Sequence, residues 1–381
     1  MEGTALMHVT MRDTDLLPMG ELRVTDVHQV VRRNDVSTWS MEINARPGES
    51  WEDYTDGMGV IIHDDHGDPL TGPHTEEEFD RDGARRTLKL QGVCDNVLLA
   101  DHIIIPDPDH PTDGAEVDVW RMTGPAETVM RALVNAQIGP DAPDLYRIPD
   151  LTLEPDQGRG AEVTVSGRYD NLLETMQELA TTGGVDFRIT QVGRRRVLQF
   201  REGEDLARAV RLEEERGGIT KLNLKRKAPT VTEAIAGGSG SGKTRKMWRD
   251  TQPTTWGRRI TEFVDRPSTS DTNELQQAVE KALRDGQEQV SCTFETADTA
   301  HIKYGRDYQL GDRITLHADR VTVQDTVQVA DVRWRAGART VSLQVGPVAD
   351  ESKLAEDSPI PAKMRQRLRE LSQQVRRRQT D

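Results

Sequence analysis

Gly237-Gly238-Ser239-Gly240-Ser241-Gly242-Lys243-Thr244 matches the phosphate-cradling pattern G-x-x-x-x-G-K-[ST] letter for letter. In that chemistry Gly237 and Gly242 free backbone N–H groups to face the phosphates. Lys243 would reach the outer phosphates, and the Thr244 hydroxyl would hold Mg²⁺. The motif requires a buried strand before it and a long apolar-striped helix after it, whose positive N-terminus faces the anion. Thr230 to Ile235 passes as a strand, although Glu233 interrupts it. The run after it does not pass as a helix. Arg245-Lys246-Met247-Trp248-Arg249-Asp250 carries two large apolar residues before Thr251-Gln252-Pro253 stops any helix. No later strand ends in four apolar residues and a metal-holding Asp. The octapeptide therefore reads as an accidental match in a Gly/Ser hairpin loop, with Lys243, Arg245, Lys246 and Arg249 available to DNA or a neighbouring subunit.

Other candidates for chemistry are weaker. His63, Asp64, Asp65, His66 and Asp68 surround one turn, so their side chains diverge where a metal would need them to converge. Asp107, Asp109 and Asp113 fall among prolines without the spacing of a calcium loop. Cys94 and Cys292 are far apart, which excludes a CxxC motif and suggests buried free thiols. Arg258 and Arg259, in the segment Trp256 to Asp265, could contact an anion. The favoured expectation is pairing with local carboxylates on a strand whose Ile260 and Phe263 enter the core. No catalytic set, cofactor or metal is expected.

The elements that would position these residues follow from patterning. The 381 residues suit about two to four domains. A net charge of −15 argues against a general nucleic-acid binder, which carries a basic face. No apolar run is long enough for a signal peptide or a stable membrane insertion. Residues 20–105 read as β: Trp39, Met41 and Ile43 alternate, as do Val60 with Ile62 and Leu88 with Leu90. The turn Asp64 to Pro69 punctuates them, and the acidic stretch Thr75 to Ala84 reads as an exposed loop.

Helical spacing then takes over. One helix has Pro125 as its first residue and carries Met130, Leu133, Val134 and Ile138. A second starts near Asp170 and ends at Gly183-Gly184. A third is opened by Asp271 and Glu274 at capping-box spacing and closes at Gly286. A hairpin turning at Gly193-Arg194 lies between the second and third. From 287 to 346 the chain returns to β. Val327 and Val329 alternate, then Val332 and Trp334 in the opposite phase, the mark of a bulge. The expected class is β-rich α+β, with two β-rich ends around an α+β middle. Beyond Pro359 and Pro361, Met364, Leu368, Leu371 and Val375 form an a/d seam on an arginine-rich amphipathic helix. Being short, it should pair with copies of itself or dock elsewhere.

Several segments, in a shared order over about residues 35–346, resemble one family: the minor tail or tail hub proteins of long-tailed phages infecting actinobacteria, similar in fold to the baseplate hub of contractile phages. They are Met58-Gly59-Val60-Ile61-Ile62 with Leu70-Thr71-Gly72-Pro73, Leu98-Leu99-Ala100-Asp101 with Pro106-Asp107-Pro108, Thr123-Gly124-Pro125-Ala126-Glu127-Thr128-Val129-Met130-Arg131 with Gly139-Pro140, Tyr169-Asp170-Asn171-Leu172-Leu173, Trp256-Gly257-Arg258-Arg259, Phe263-Val264-Asp265, and Gly305-Arg306-Asp307-Tyr308-Gln309-Leu310-Gly311-Asp312. The first 20 residues and the arginine-rich tail depart from the pattern.

The resemblance implies two small β-barrel-like domains flanking the central α+β region, with a C-terminal helix. The expected division is 1–20 extension, 21–118 first β domain, 119–286 central region, 287–347 second β domain, and 348–381 linker and helix. It also implies a non-enzymatic structural protein of the virion, made in the host cytoplasm. Such a protein closes the distal tail tube as a homotrimeric ring and takes part in assembly and DNA ejection. Its partners would be tail tube and distal tail proteins, tail-tip spike or fibre proteins, and phage DNA passing through an acidic lumen. The rival classes are a P-loop ATPase or GTPase and the hub of a phage-derived contractile particle.

Overall fold

The computed structural model describes residues 7–44, 57–64, 66–83, 85–110, 117–267, 269–296, 302–318, 321–335 and 337–346. The chain forms two compact units. The larger comprises residues up to Lys221 together with Phe294–Gln344; the smaller is built on Leu222–Thr293.

The larger unit opens with strands β1 (Met7–Arg12), β2 (Pro18–Leu22), β3 (Val24–Arg32), β4 (Thr38–Asn44), β5 (Gly59–Asp64), β6 (Leu70–Asp82) and β7 (Arg85–Val93). Alternation places them. Trp39, Met41 and Ile43 of β4 are buried with Leu88 and Leu90 of β7, while Ser40 and Glu42 point the other way. After the short helix α1 (Val97–Ala100) come β8 (Trp120–Pro125), α2 (Ala126–Gln137), β9 (Leu151–Leu153), β10 (Glu162–Gly167), α3 (Leu172–Gly183), β11 (Asp186–Val192), β12 (Arg195–Arg201) and β13 (Arg211–Glu213). The smaller unit takes β14 (Lys221–Lys227), β15 (Glu233–Gly237), β16 (Met247–Thr251), β17 (Thr261–Asp265) and α4 (Thr272–Asp285). Then β18 (Gln289–Thr296) leads back to β19 (Arg313–Ala318), β20 (Val321–Arg335) and β21 (Ala338–Val345).

Within the larger unit the strands pair in the order β21-β20-β3-β4-β7-β6-β5-β1-β2, with β19 on β20 and β13 on β19. Among the described strands no pairing closes this path, so the two closed barrels implied by resemblance are not found. Two long strands explain the open path. β6 pairs with β5 over Leu70–Pro73 and with β7 from His74 onward, with a register shift between His74 and Glu76. β20 pairs with β19 over Val321–Thr326 and with β3 over Val329–Arg335. Each hands the sheet from one ladder to the next instead of completing a ring. The phase slip between Val329 and Val332 marks that handover. Residues 75–84, expected as a loop, lie largely in β6: a ladder with β7 satisfies the backbone while the acidic side chains stay in solvent.

The helices fall where periodicity places them. Pro125 caps α2 and is not its first residue. Asn171 caps α3 by accepting from Glu174 N at 3.1 Å, and Gly184 ends it at φ +72°. Val129, Met130, Leu133 and Val134 of α2 are buried with Leu172, Met176, Leu179 and Ala180 of α3. A Cβ on Gly183 would lie 2.1 Å from the Ala126 Cβ, so glycine allows the end of α3 to approach the start of α2. The fully buried Glu127 carboxylate accepts from Arg159 Nε at 2.9 Å, Nη2 at 2.9 Å and the backbone N at 2.9 Å. These bonds to Arg159 hold it below the usual glutamate range.

Candidate functional site

Sheet β16-β15-β17 and helix α4 form the core of the smaller unit. β15 is central, antiparallel to β16 and parallel to β17. Val231, Ala234 and Ala236 pack on Leu275, Val279 and Leu283 of α4, with Trp248 and Val264 beside them. Asp271 caps α4 by accepting from Asn273 N at 2.8 Å. The alternate residues Glu233, Ile235, Arg249, Thr261 and Phe263 therefore occupy the opposite sheet face. Phe263, expected in the core, is half exposed there, because one-residue parity gives the α4 side to Val264.

The P-loop-like octapeptide closes the β15–β16 hairpin, where Gly237 pairs with Met247. Gly242, Lys243 and Thr244 make a single 3-10 turn, and a strand follows it where a nucleotide site needs a helix. Three of its N–H groups are already used. Gly238 N donates to Lys246 O at 2.8 Å, Ser239 N to Thr269 O at 2.6 Å and Thr244 N to Ser241 O at 3.2 Å. The Thr244 hydroxyl donates to Ser241 O at 2.9 Å. Arg245 holds the Gly237 and Gly238 carbonyls at 3.0 and 2.9 Å and pairs with Asp265. Lys246 Nζ donates to Ser270 O at 2.7 Å and Arg249 pairs with Glu233. Of the four cations expected to be available, Lys243 alone has no such bond among the described residues.

Glu233 is the organising group of the exposed face. Its side chain is 4% exposed. It accepts from Arg259 Nε at 2.6 Å, Arg259 Nη2 at 2.7 Å, the Thr261 hydroxyl at 2.8 Å, and Arg249 Nε. Arg259, then Thr261 and Arg249, hold its carboxyl down at about 2. Beside it lies an open cleft of about 430 Å³, lined by Thr232, Thr251, Thr254, Arg249, Arg258 and Arg259 among others. Two guanidinium groups thus share one carboxylate, and Arg258 lines the cleft beside them. Arg226 stacks over Trp256 at 5.0 Å, and both bond Glu288. Pairing of Arg259 with a carboxylate agrees with the sequence expectation. Its partner was hidden by a separation of 26 residues, and only the parallel register of β15 and β17 brings it near.

The remaining candidates are scattered. Asp64 pairs with Arg339 at 2.8 Å and Asp68 with Arg188 at 2.5 Å. Cys94 and Cys292 are buried free thiols that burial pushes up to about 11. The seam Met364, Leu368, Leu371 and Val375 lies outside the described residues. A network missed by sequence reasoning ties the N-terminal strand in place: Arg12 bonds Asp95 at 2.6 and 3.0 Å and Gln191 at 2.7 Å, all buried. No local pattern announces it, since its members are 83 and 179 residues from Arg12.

The sequence profile of a family described as Siphovirus ReqiPepy6 Gp37-like protein matches residues 8–347. No curated protein matches the chain by sequence. Among solved structures, the chain is similar to a tail protein from Neisseria meningitidis MC58, at 13% identity and TM-score 0.58, covering 90% of this chain and 96% of that one. It is similar to the 43 kDa tail protein of prophage MuSo2 from Shewanella oneidensis, at 10% identity and TM-score 0.60, covering 89% and 98%. Prophage tail protein gp18 from Listeria monocytogenes EGD-e gives 10% identity and TM-score 0.53, covering 91% and 96%. These likenesses establish a shared fold.

Proposed function

Because the chain belongs to the Siphovirus ReqiPepy6 Gp37-like family, we propose that it is a structural hub protein of a phage tail, located at the tail tip of the virion. In this reading three copies form a ring at the distal end of the tail tube and take part in tail assembly and DNA ejection. The observation that carries the reading is a fold shared with three tail proteins, two of them from prophages, along nearly the whole of both chains. The two β-rich regions, 21–118 and 287–347, would occupy related positions around the ring, giving three chains a pseudo-sixfold face toward a hexameric tube. Tube, distal tail and spike or fibre proteins are the expected neighbours, and DNA passes the lumen. An excess of carboxylates, giving −15 per chain, would keep phosphates from adhering during passage.

The protein acts without catalysis in this reading. The Gly238, Ser239 and Thr244 N–H groups of the 237–244 loop already serve protein carbonyls, and no helix follows the loop to face an anion. The test has two arms on the full chain. Native mass measurement with tail-tube protein should give a species containing three 42.7 kDa chains. Nucleotide titration should give no Mg²⁺-dependent binding in either the natural chain or Lys243→Ala. A monomer in the first arm overturns the hub reading. Tight binding lost in Lys243→Ala overturns the structural one.

A further inference from the structure

The arginine cleft of the smaller unit has more cation than its own carboxylate uses. Glu233 takes Nε of Arg249 and two donors of Arg259. Among the described residues, the other donors of these two arginines make no hydrogen bond. Arg258, exposed and lining the same cleft, makes none among the described residues. Glu233 fixes the geometry of two forks without exhausting them, since each guanidinium carries five donors. Threonines 251 and 254 add hydroxyls at the cleft wall. The arrangement suits carboxylates presented at short intervals.

Such carboxylates lie on the larger unit. In β6, period two puts Glu76, Glu78, Asp80 and Asp82 on one face, and all four are exposed. Successive members stand ~6.7 Å apart along the strand. Lys89, across on β7, bonds Glu78 at 3.0 Å and also lies near Asp80 and Glu42, so the stripe is acidic after its own pairing.

We infer that the Arg249–Arg258–Arg259 cleft of one copy receives the acidic stripe Glu76, Glu78 and Asp80 of a second copy, in a head-to-tail contact. The inference rests on the ring reading above and gives it a chemical interface. Two different patches meet, which makes the contact heterologous. Such contacts close into rings when the rotation fits. A polypeptide ligand is favoured over nucleic acid because the patch is compact, has a carboxylate built into it, and belongs to a chain of net charge −15.

Charge reversal on the full chain tests this by sedimentation, with tail-tube protein present. Arg258→Glu should weaken self-association at least about tenfold, as should the pair Glu76→Lys and Asp80→Lys. All three changes in one chain should restore association to within about threefold of the natural protein. Both surfaces are exposed, and circular dichroism should remain unchanged in each variant. A natural trimer indifferent to either reversal, or no recovery in the combined chain, overturns this contact and leaves the ring standing. A natural chain that stays monomeric overturns both. Binding of a short DNA duplex that is lost in Arg258→Glu, with self-association unchanged, also overturns the contact.

Discussion

Glu233 couples the smaller unit to pH. Its carboxyl stands at about 2 in the folded chain, against an ordinary 4.5, because Arg259, Thr261 and Arg249 all bond the ionised form. As pH falls below 4.5 the unfolded chain takes up this proton first. The stability Glu233 contributes is therefore whole above about 4.5 and is lost progressively toward 2. Glu127, Glu288 and Asp307 are lowered in the same direction by their arginine partners. The expected result is a urea midpoint that falls between pH 7 and pH 3.5, and falls less in Glu233→Gln, which has no proton to gain. At pH 7 the variant should be the less stable, because two arginines lose their shared anion. Equal acid sensitivity of the two chains would contradict the assignment.

At the scale of elements, β6 is the most demanding strand, because it changes partners within thirteen residues. The change occurs next to Gly72, which lies so close to β7 that an added Cβ would stand 1.8 Å from Val93 O and 2.6 Å from the Cys94 Cα. Neither atom is a mobile side-chain tip, so the backbone would have to move. Gly72→Ala should cost about 3 kcal/mol, read as a lower urea midpoint at unchanged slope. Gly124→Ala is the control: its Cβ meets only the Val129 Cγ2, at 3.7 Å, and it should change stability by less than ~1 kcal/mol.

The same strand shows what was legible beforehand. Helices α2, α3 and α4 and the β11–β12 hairpin could be read because period, cap and turn residues are all local. So could the phase slip of β20. The acidic half of β6 could not be read, because its strand character comes from pairing with β7 and its own residues favour solvent. Phe263 was misplaced for a related reason: hydrophobicity marks a residue for burial, but strand parity decides which face it takes. The cleft needed the β15–β17 register, which no stretch of sequence contains. The poor helix after the Gly237–Thr244 match argues against a nucleotide site there, and the bonded N–H groups of Gly238, Ser239 and Thr244 support that reading.

The whole molecule divides its chemistry as well as its contacts. The larger unit carries a nine-strand path and the paired helices α2 and α3, while the smaller has its own core around α4. Association between copies would then use surfaces that belong to folded parts, so reversing a surface charge should alter assembly before it alters stability. The two cysteines fall one to each unit, Cys94 in the larger and Cys292 in the smaller. Both are buried and held near 11, so the native chain offers almost no thiolate at neutral pH. A thiol-reactive label should leave the native chain unmodified and react as each site opens, at a rate set by that site alone. Digestion and mass analysis would separate the two labelled peptides. Simultaneous reaction of both thiols under all conditions would mean a single cooperative unit. Otherwise the chain carries two independent clocks, one timing the opening of each unit.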